Sequence, residues 1–284
     1  MNESTTNEKS EITALALGGF DGLHRGHRAL IDQLGSSGGL LVLEHSRICI
    51  TPGYSRKRFT DYPLFICDLD AVHEMSPQTF VAHLQKNFPK LKKFVVGYDF
   101  RFGKNRAAGA YELRELFDGE TVIVAEVSLG GAAVHSTRIR LALINGNVSA
   151  ATILLGREHM IEGRVVRGQG VGKKALYPTL NLEVKKFIVP KDGVYAAHTE
   201  VLGRLYPSVA FVGNRLSTDG SYAIETHILD ENATLEGVET AAIFFNNRIR
   251  DNRRFESLSE LKEQIAKDIR DAKNLLEENI CTIG

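Results

Sequence analysis

Apolar positions along this chain follow two rhythms, and the change comes just past the middle. Between residues 12 and 155, short apolar runs at 12–17, 40–43, 65–69, 93–98 and 121–127 read as strands, and stretches with apolar residues at helical spacing alternate with them. The clearest helix opens at Ser76-Pro77, an N-cap followed by proline at the first helical position, and runs through Phe80, Leu84 and Phe88. Residues 28–34, closed by Gly35, residues 109–117 and the segment from Ser136 read as further helices. Strands alternating with helices predict a parallel sheet covered on both faces, with ligands at the carboxyl ends of its strands.

After Gly156 the helical rhythm stops. Short strands are predicted at 165–166, 181–184, 194–199, 208–212, 222–229 and 238–245, separated by glycine, asparagine and aspartate, which suits a compact antiparallel barrel or sandwich. A capping-box pattern, Ser257-Leu258-Ser259-Glu260, then leads into one long helix with Leu258, Leu261, Ile265, Ile269, Ala272 and Leu276 on its apolar stripe. This divides the chain into a polar, frayed tail (1–10), an α/β domain (11–157) and a β domain (158–284).

Composition narrows the function classes. Of 284 residues, 43% are hydrophobic and 25% charged, as in ordinary soluble globular proteins. Lys+Arg and Asp+Glu are both 35, so no overall field favours nucleic acid or a membrane surface, and any phosphate site must be local. Cys49, Cys67 and Cys281 are odd in number and far apart, which suits thiols in a reducing cytoplasm better than disulfides or a zinc site. The amino terminus lacks the apolar core of a signal peptide, and no run is long enough to cross a bilayer. Small-molecule partners, acting on a monomer or weak homo-oligomer, are expected.

Three clusters in the first half can carry chemistry. Gly18-Gly19-Phe20-Asp21-Gly22-Leu23-His24-Arg25-Gly26-His27 lies at a strand-to-helix junction, where backbone N–H groups face an anion. His24 and His27, at i and i+3, can both aim at a phosphate, with Gly26 allowing close approach. The same residues also fit a glycine-rich loop whose histidines cap or pack. Gly97-Tyr98-Asp99-Phe100-Arg101-Phe102-Gly103 follows a strand, and fits either a planar heterocycle between its rings, beside Asp99, or a loop with core phenylalanines. Ser136, Thr137 and Arg140 open a helix, where they can bind a second phosphate or cap the helix.

The second half offers Gly163, Gly168, Gly170 and Gly172 with Lys173 and Lys174, running into Tyr177-Pro178-Thr179-Leu180-Asn181. This is no Walker loop, yet glycine N–H groups and lysines can cradle ATP, and oxygens of Thr179 and Asn181 can ligate Mg²⁺. A glycine-rich hairpin is the plain alternative. Glu225, the one carboxylate in the strand segment Ala223-Ile224-Glu225-Thr226-His227, suits a general base, or is merely exposed.

Taken in order, the turn at 18–27, Gly97 to Gly103, Ser136-Thr137-Arg138-Ile139-Arg140, Pro178-Thr179-Leu180-Asn181 and Glu225-Thr226-His227 resemble the bacterial bifunctional riboflavin kinase/FMN adenylyltransferase family over about residues 12–279. The resemblance implies a Rossmann-like nucleotidyltransferase domain followed by a six-stranded antiparallel β-barrel riboflavin kinase domain with a C-terminal helix. Both activities would use ATP and Mg²⁺. In the kinase half, Thr179 and Asn181 would hold metal and phosphates, the loop with Gly168, Gly170, Gly172 and Lys173 would cover ATP, and Glu225 would be the base. Arg254 and Phe255 resemble a flavin-side segment. In the other half FMN would be joined to AMP, giving FAD, with the loop of Gly18, Phe20, Asp21 and Gly26 and the side chains of His24 and His27 at the ATP phosphates. Asp99 would lie near flavin or metal, and Ser136, Thr137 and Arg140 on the phosphate tail.

The chain departs from the family pattern in places. Leu43-Glu44-His45-Ser46-Arg47 stands where the family carries a phenylalanine and a Pro-His-Pro-like turn. Leu176 replaces a glycine and Leu180 an alanine around the Pro-Thr pair. These leucines keep open an alternative, an FMN adenylyltransferase whose barrel binds flavin without phosphorylating it.

Overall fold

A computed structural model describes residues 9–44, 47–167, 179–217 and 219–281, with side chains to residue 278. The chain forms two compact units, Met1–Arg47 with Thr51–Ser136, and Ile48–Ile50 with Thr137–Gly284.

In the first unit five strands, β1 (Ala14–Gly18), β2 (Gly38–Glu44), β3 (Leu64–Asp68), β4 (Lys93–Gly97) and β7 (Glu120–Val124), form a wholly parallel sheet in the order β3-β2-β1-β4-β7. Two small hairpins, β5 (Arg101–Phe102) with β6 (Ala108–Gly109) and β8 (Ser128–Leu129) with β9 (Ala132–Ala133), decorate it. Alternate residues of each strand go to opposite faces. Leu15, Leu17, Leu41, Phe94 and Val96 pack with Phe80, Val81 and Leu84 of α2 (Pro77–Asn87) and Leu113 of α3 (Ala110–Leu116). Ala14, Ala16, Leu40, Val42 and Val95 pack instead with Leu30 and Ile31 of α1 (Arg25–Ile31). Gly39 is required in β2 because a Cβ there would sit 2.9 Å from the Phe65 ring.

All five strands expected from the apolar runs are present, and Ser76 caps α2 through its hydroxyl, which accepts from the Thr79 N–H. In this sheet order β1 has β2 on one side and β4 on the other. Such a switch of direction opens a crevice at the carboxyl ends of β1 and β4, and residues 18–27 and 97–103 follow those two strands.

The second unit is a closed barrel, β10 (His159–Val166), β11 (Leu180–Val184), β12 (Gly193–Val201), β13 (Arg204–Asn214), β14 (Tyr222–Ile228) and β15 (Thr240–Arg250), in the order β10-β11-β14-β13-β12-β15. Closure settles the choice between barrel and sandwich and leaves no open sheet edge. Helix α6 (Leu258–Cys281) packs Ala272 and Leu276 on Ala196 of β12, as its apolar stripe predicts. Its capping serine accepts from the Glu260 N–H, 3.1 Å away.

The unit division falls twenty-one residues before the sequence boundary at 157/158: past Ser136, helix α4 (Ser136–Ile144) and helix α5 (Val148–Leu155) group with the barrel. The α5 helix has no counterpart among the expected elements because seven of its eight residues are apolar or small, Val-Ser-Ala-Ala-Thr-Ile-Leu-Leu, and carry little periodic contrast. Its ends are nonetheless marked, by Asn147 accepting from the Ala150 N–H and by Gly156 at φ 79°.

Candidate active sites

The loop after β1 owes its shape to more than its glycines. Phe20 and Leu23 sit at φ 44° and 43°, and Gly22 at 90°. Left-handed backbone costs an L-residue about 1 kcal/mol or more, so two such positions within four residues must be held by their surroundings. Phe20 is fully buried and Leu23 nearly so. Two side-chain contacts fasten Asp21: its Oδ1 accepts from the Thr51 N–H at 3.3 Å, and its carbonyl accepts from Ser136 Oγ at 2.8 Å. Ser136, expected at a phosphate or as a cap, thus fastens the loop within the first unit.

His24 is the N-cap of α1, buried, with Nδ1 accepting from the His27 N–H at 3.3 Å. The two imidazoles stack with centroids 3.6 Å apart and an 18° interplanar angle, and the His27 ring lies 5.2 Å from that of Phe20. The cap-or-pack reading of these histidines describes what is seen, since one caps a helix and the pair forms a single stacked unit at a helix start. Gly26 makes that stack possible: a Cβ there would lie 3.1 Å from the His24 ring and 3.2 Å from the Val134 carbonyl.

Beside this loop, after β4, Asp99 is exposed, while Phe102 is buried against Phe80 and stacks with Phe100 at 5.7 Å. The core reading of these phenylalanines therefore holds. Exposed Tyr98 instead donates to Glu126 Oε2 at 2.6 Å, which pushes the phenol up to about 12 and holds the carboxyl below its usual range. Thr137 is exposed on α4, and Arg140, on the same helix, donates to the Ile48 carbonyl at 3.0 Å.

On the barrel, Asn181 of β11 and Glu225 of β14 are paired directly across the ladder. Their neighbours Leu180, Leu182, Ile224 and Thr226 are buried inward, so the alternation of the strands puts Asn181 and Glu225 together on the outer face. Leu180, which replaces the family's alanine, thus fills core space. A third residue joins the pair. Arg215 donates from Nε to Glu225 Oε1 at 2.6 Å, from Nη2 to Asn181 Oδ1 at 2.5 Å and from Nη1 to Ser221 Oγ at 2.7 Å. Ser221 in turn donates its backbone N–H and hydroxyl to Asp219.

Thr179 is exposed just before β11, and Gly168, Gly170, Gly172, Lys173 and Leu176 lie outside the described residues. Arg254 is exposed, and Phe255 is buried beneath Arg253 and Arg250, whose guanidinium carbons lie 4.6 and 5.6 Å from the ring centre.

Among the described residues no three His, Cys, Asp or Glu side chains form a metal cluster. The neutral oxygens of Thr179 and Asn181 suit Mg²⁺ entering with phosphate and water ligands, because that ion seldom uses an all-protein cage. Asn181 Oδ1 has two lone pairs, so the Arg215 contact leaves acceptor capacity.

A family model described as riboflavin kinase matches residues 155–276, and another described as FAD synthetase matches residues 60–138. Proteins described as bifunctional riboflavin kinase/FMN adenylyltransferase are similar along most of the chain. That of Escherichia coli K12 is 31% identical with 91% of each chain covered, and that of Pseudomonas fluorescens 30% with the same coverage. The Listeria monocytogenes protein is 28% identical, covering 95% of this chain and 94% of its own. A crystal structure described as a macrolide-efflux protein from Streptococcus pneumoniae superposes with a TM-score of 0.80, at 29% identity, over 93% of this chain and 94% of that one.

Proposed function

From the premise that the chain belongs to the bifunctional riboflavin kinase/FMN adenylyltransferase family, we propose which of its residues carry each reaction. The protein is a transferase that phosphorylates riboflavin to FMN and adenylylates FMN to FAD, with ATP as co-substrate of both steps. We assign the kinase to residues 158–284 and the adenylyltransferase to residues 11–157, and place the enzyme in the cytoplasm as a monomer or weak homo-oligomer.

The observation carrying the kinase reading is the in-register pair of Asn181 and Glu225. Glu225 takes the proton from the ribityl hydroxyl as its oxygen bonds to the γ-phosphorus of ATP and the bond to ADP breaks. Thr179 and Asn181 hold Mg²⁺, which when bound neutralises phosphate charge. Arg215 keeps the base and the amide in one orientation. The loop with Gly168, Gly170, Gly172 and Lys173 covers ATP, and Arg254 and Phe255 flank the flavin.

In the adenylyltransferase, the FMN phosphate is already an anionic nucleophile, so the site needs alignment and charge stabilisation more than a base. It bonds to the α-phosphorus of ATP, and pyrophosphate leaves. His24, with Nδ1 accepting from the His27 N–H, donates a hydrogen bond from Nε2 to a phosphate oxygen, with His27 stacked beside it. Gly18, Phe20, Asp21 and Gly26 shape the phosphate loop, Asp99 lies at the flavin or metal, and Ser136, Thr137 and Arg140 serve the phosphate tail.

Efflux remains a description of the Streptococcus protein alone. No helix among the described residues of this chain is long and apolar enough to cross a membrane. Purified protein with riboflavin, ATP and Mg²⁺ is expected to yield FMN first and then FAD by chromatography. FAD from added FMN but none from riboflavin would restrict the barrel to flavin binding.

A further inference from the structure

Behind the phosphate loop lies an arginine that no motif marked. Arg56, on a 3₁₀ turn (Gly53–Phe59), is 1% exposed, the largest fully buried side chain described. Its guanidinium donates from Nε to the Phe20 carbonyl at 3.0 Å and from Nη2 to the Gly19 carbonyl at 3.3 Å. From Nη1 it donates to Glu44 Oε1 at 2.8 Å and to the Gly53 carbonyl at 3.0 Å. Glu44 Oε1 also accepts from the Gly53 N–H at 3.2 Å, so carboxylate and turn together lock the guanidinium in place. Glu44 closes β2, at the point where the chain departs from the family's proline-containing turn.

We propose that Arg56, held by Glu44, is a positioning residue for adenylyl transfer that sets the phosphate loop in its active shape. The inference rests on the reading of residues 18–27 as the ATP-phosphate site. In a trans peptide the C=O and the following N–H point opposite ways. Drawing the Gly19 and Phe20 carbonyls onto one guanidinium therefore turns the N–H groups of Phe20 and Asp21 away from it. Consecutive N–H groups turned to one side form an anion-binding concavity. With Phe20 at φ 44°, its carbonyl and that of Gly19 both reach the same rigid fork. Phe20 in turn carries its ring against His27, so the guanidinium fixes both the backbone and one wall of the histidine stack. The charge of Arg56 is buried and matched by Glu44, and it orients the loop from behind without touching substrate.

Full-length Arg56→Met, Arg56→Lys and His27→Ala proteins test this, each assayed below its own melting temperature for FAD formation from FMN and for riboflavin phosphorylation. Lysine keeps the charge but cannot span both carbonyls and the carboxylate. For Arg56→Lys, kcat/KM for ATP in FAD formation is expected to fall on the order of 100-fold, as for about 1 Å of misplacement, with KM for FMN and the kinase rate changed by less than about twofold. Arg56→Met is expected to lose at least as much. If Arg56 only stabilised the fold, Arg56→Lys would melt earlier yet keep the native kcat/KM for ATP, which overturns the proposal. Should His27→Ala keep its adenylylation, the phosphate-site reading itself fails. Loss in His27→Ala with none in Arg56→Lys removes only the role of Arg56.

Discussion

Asn181 and Glu225 are opposite partners on neighbouring strands, and one guanidinium, that of Arg215, joins them at 2.5 and 2.6 Å. A neutral amide and a carboxylate are thereby kept in one orientation on the barrel's outer face. A β-ladder fixes backbones to within a few tenths of an ångström, but side chains on an outer face retain rotamer freedom unless something pins them. Arg215 supplies that restraint, itself held by Ser221.

Replacing Arg215 by methionine removes both contacts. The expected result is a fall in riboflavin kinase kcat of at least about tenfold, with FAD formation from supplied FMN unchanged. Product chromatography under saturating ATP checks it. An unchanged kinase kcat would show that Glu225 and Asn181 need no such restraint.

Much of this architecture can be read from the chain. Short apolar runs locate all eleven main strands, the Ser76-Pro77 and Ser257 to Glu260 signals locate two helix starts, and the five motifs mark the candidate sites. What escapes is whatever depends on tertiary partners. Arg56 stands in an Arg-Lys-Arg run that reads as solvated surface, yet it is buried because Glu44 and two loop carbonyls converge on it. Arg215 escapes because only the pairing of β11 with β14 and β13 brings Asn181 and Glu225 within its reach. The bends at Phe20 and Leu23 escape because glycine, the usual marker of positive φ, is absent there.

A buried histidine sets one pH dependence of the barrel. Burial lowers His159 from 6.5 to about 4, outweighing the upward pull of its contact with the Ile188 carbonyl at 2.9 Å; the nearby Arg157 charge lowers it further. Above pH 6.5 both folded and unfolded states are neutral at this position. Between 6.5 and 4 only the unfolded state takes up the proton, so stability falls as pH falls, by about 2 kcal/mol at pH 5, and levels off below 4. Urea unfolding at pH 7 and pH 5 should show that loss in the native chain and a smaller one in His159→Gln. Equal losses in both would contradict the assignment.

The terminal helix is anchored by a charge pair as well as by its apolar stripe. Asp268 of α6 is 2% exposed and accepts from Arg250 Nε and Nη2 at 2.9 and 2.7 Å, and from Gln264 at 2.8 Å. Asp268→Asn leaves the Arg250 charge unmatched and should cost about 3 kcal/mol in urea unfolding. Arg250 also lies over Phe255, so the flavin-side segment should loosen with it and raise KM for riboflavin. A loss of stability under about 1 kcal/mol would show that the pair is solvent-screened and adds little.

The central claim is that each reaction has its own catalytic residues, and Glu225→Gln and His27→Ala measured side by side test it most directly. Given riboflavin, ATP and Mg²⁺, His27→Ala should accumulate FMN and form no FAD. Glu225→Gln should make little FMN, with a kinase loss on the order of 100-fold or more, yet convert supplied FMN to FAD at the native rate. One substitution abolishing both activities in a folded protein, or neither touching its assigned step, would contradict the account.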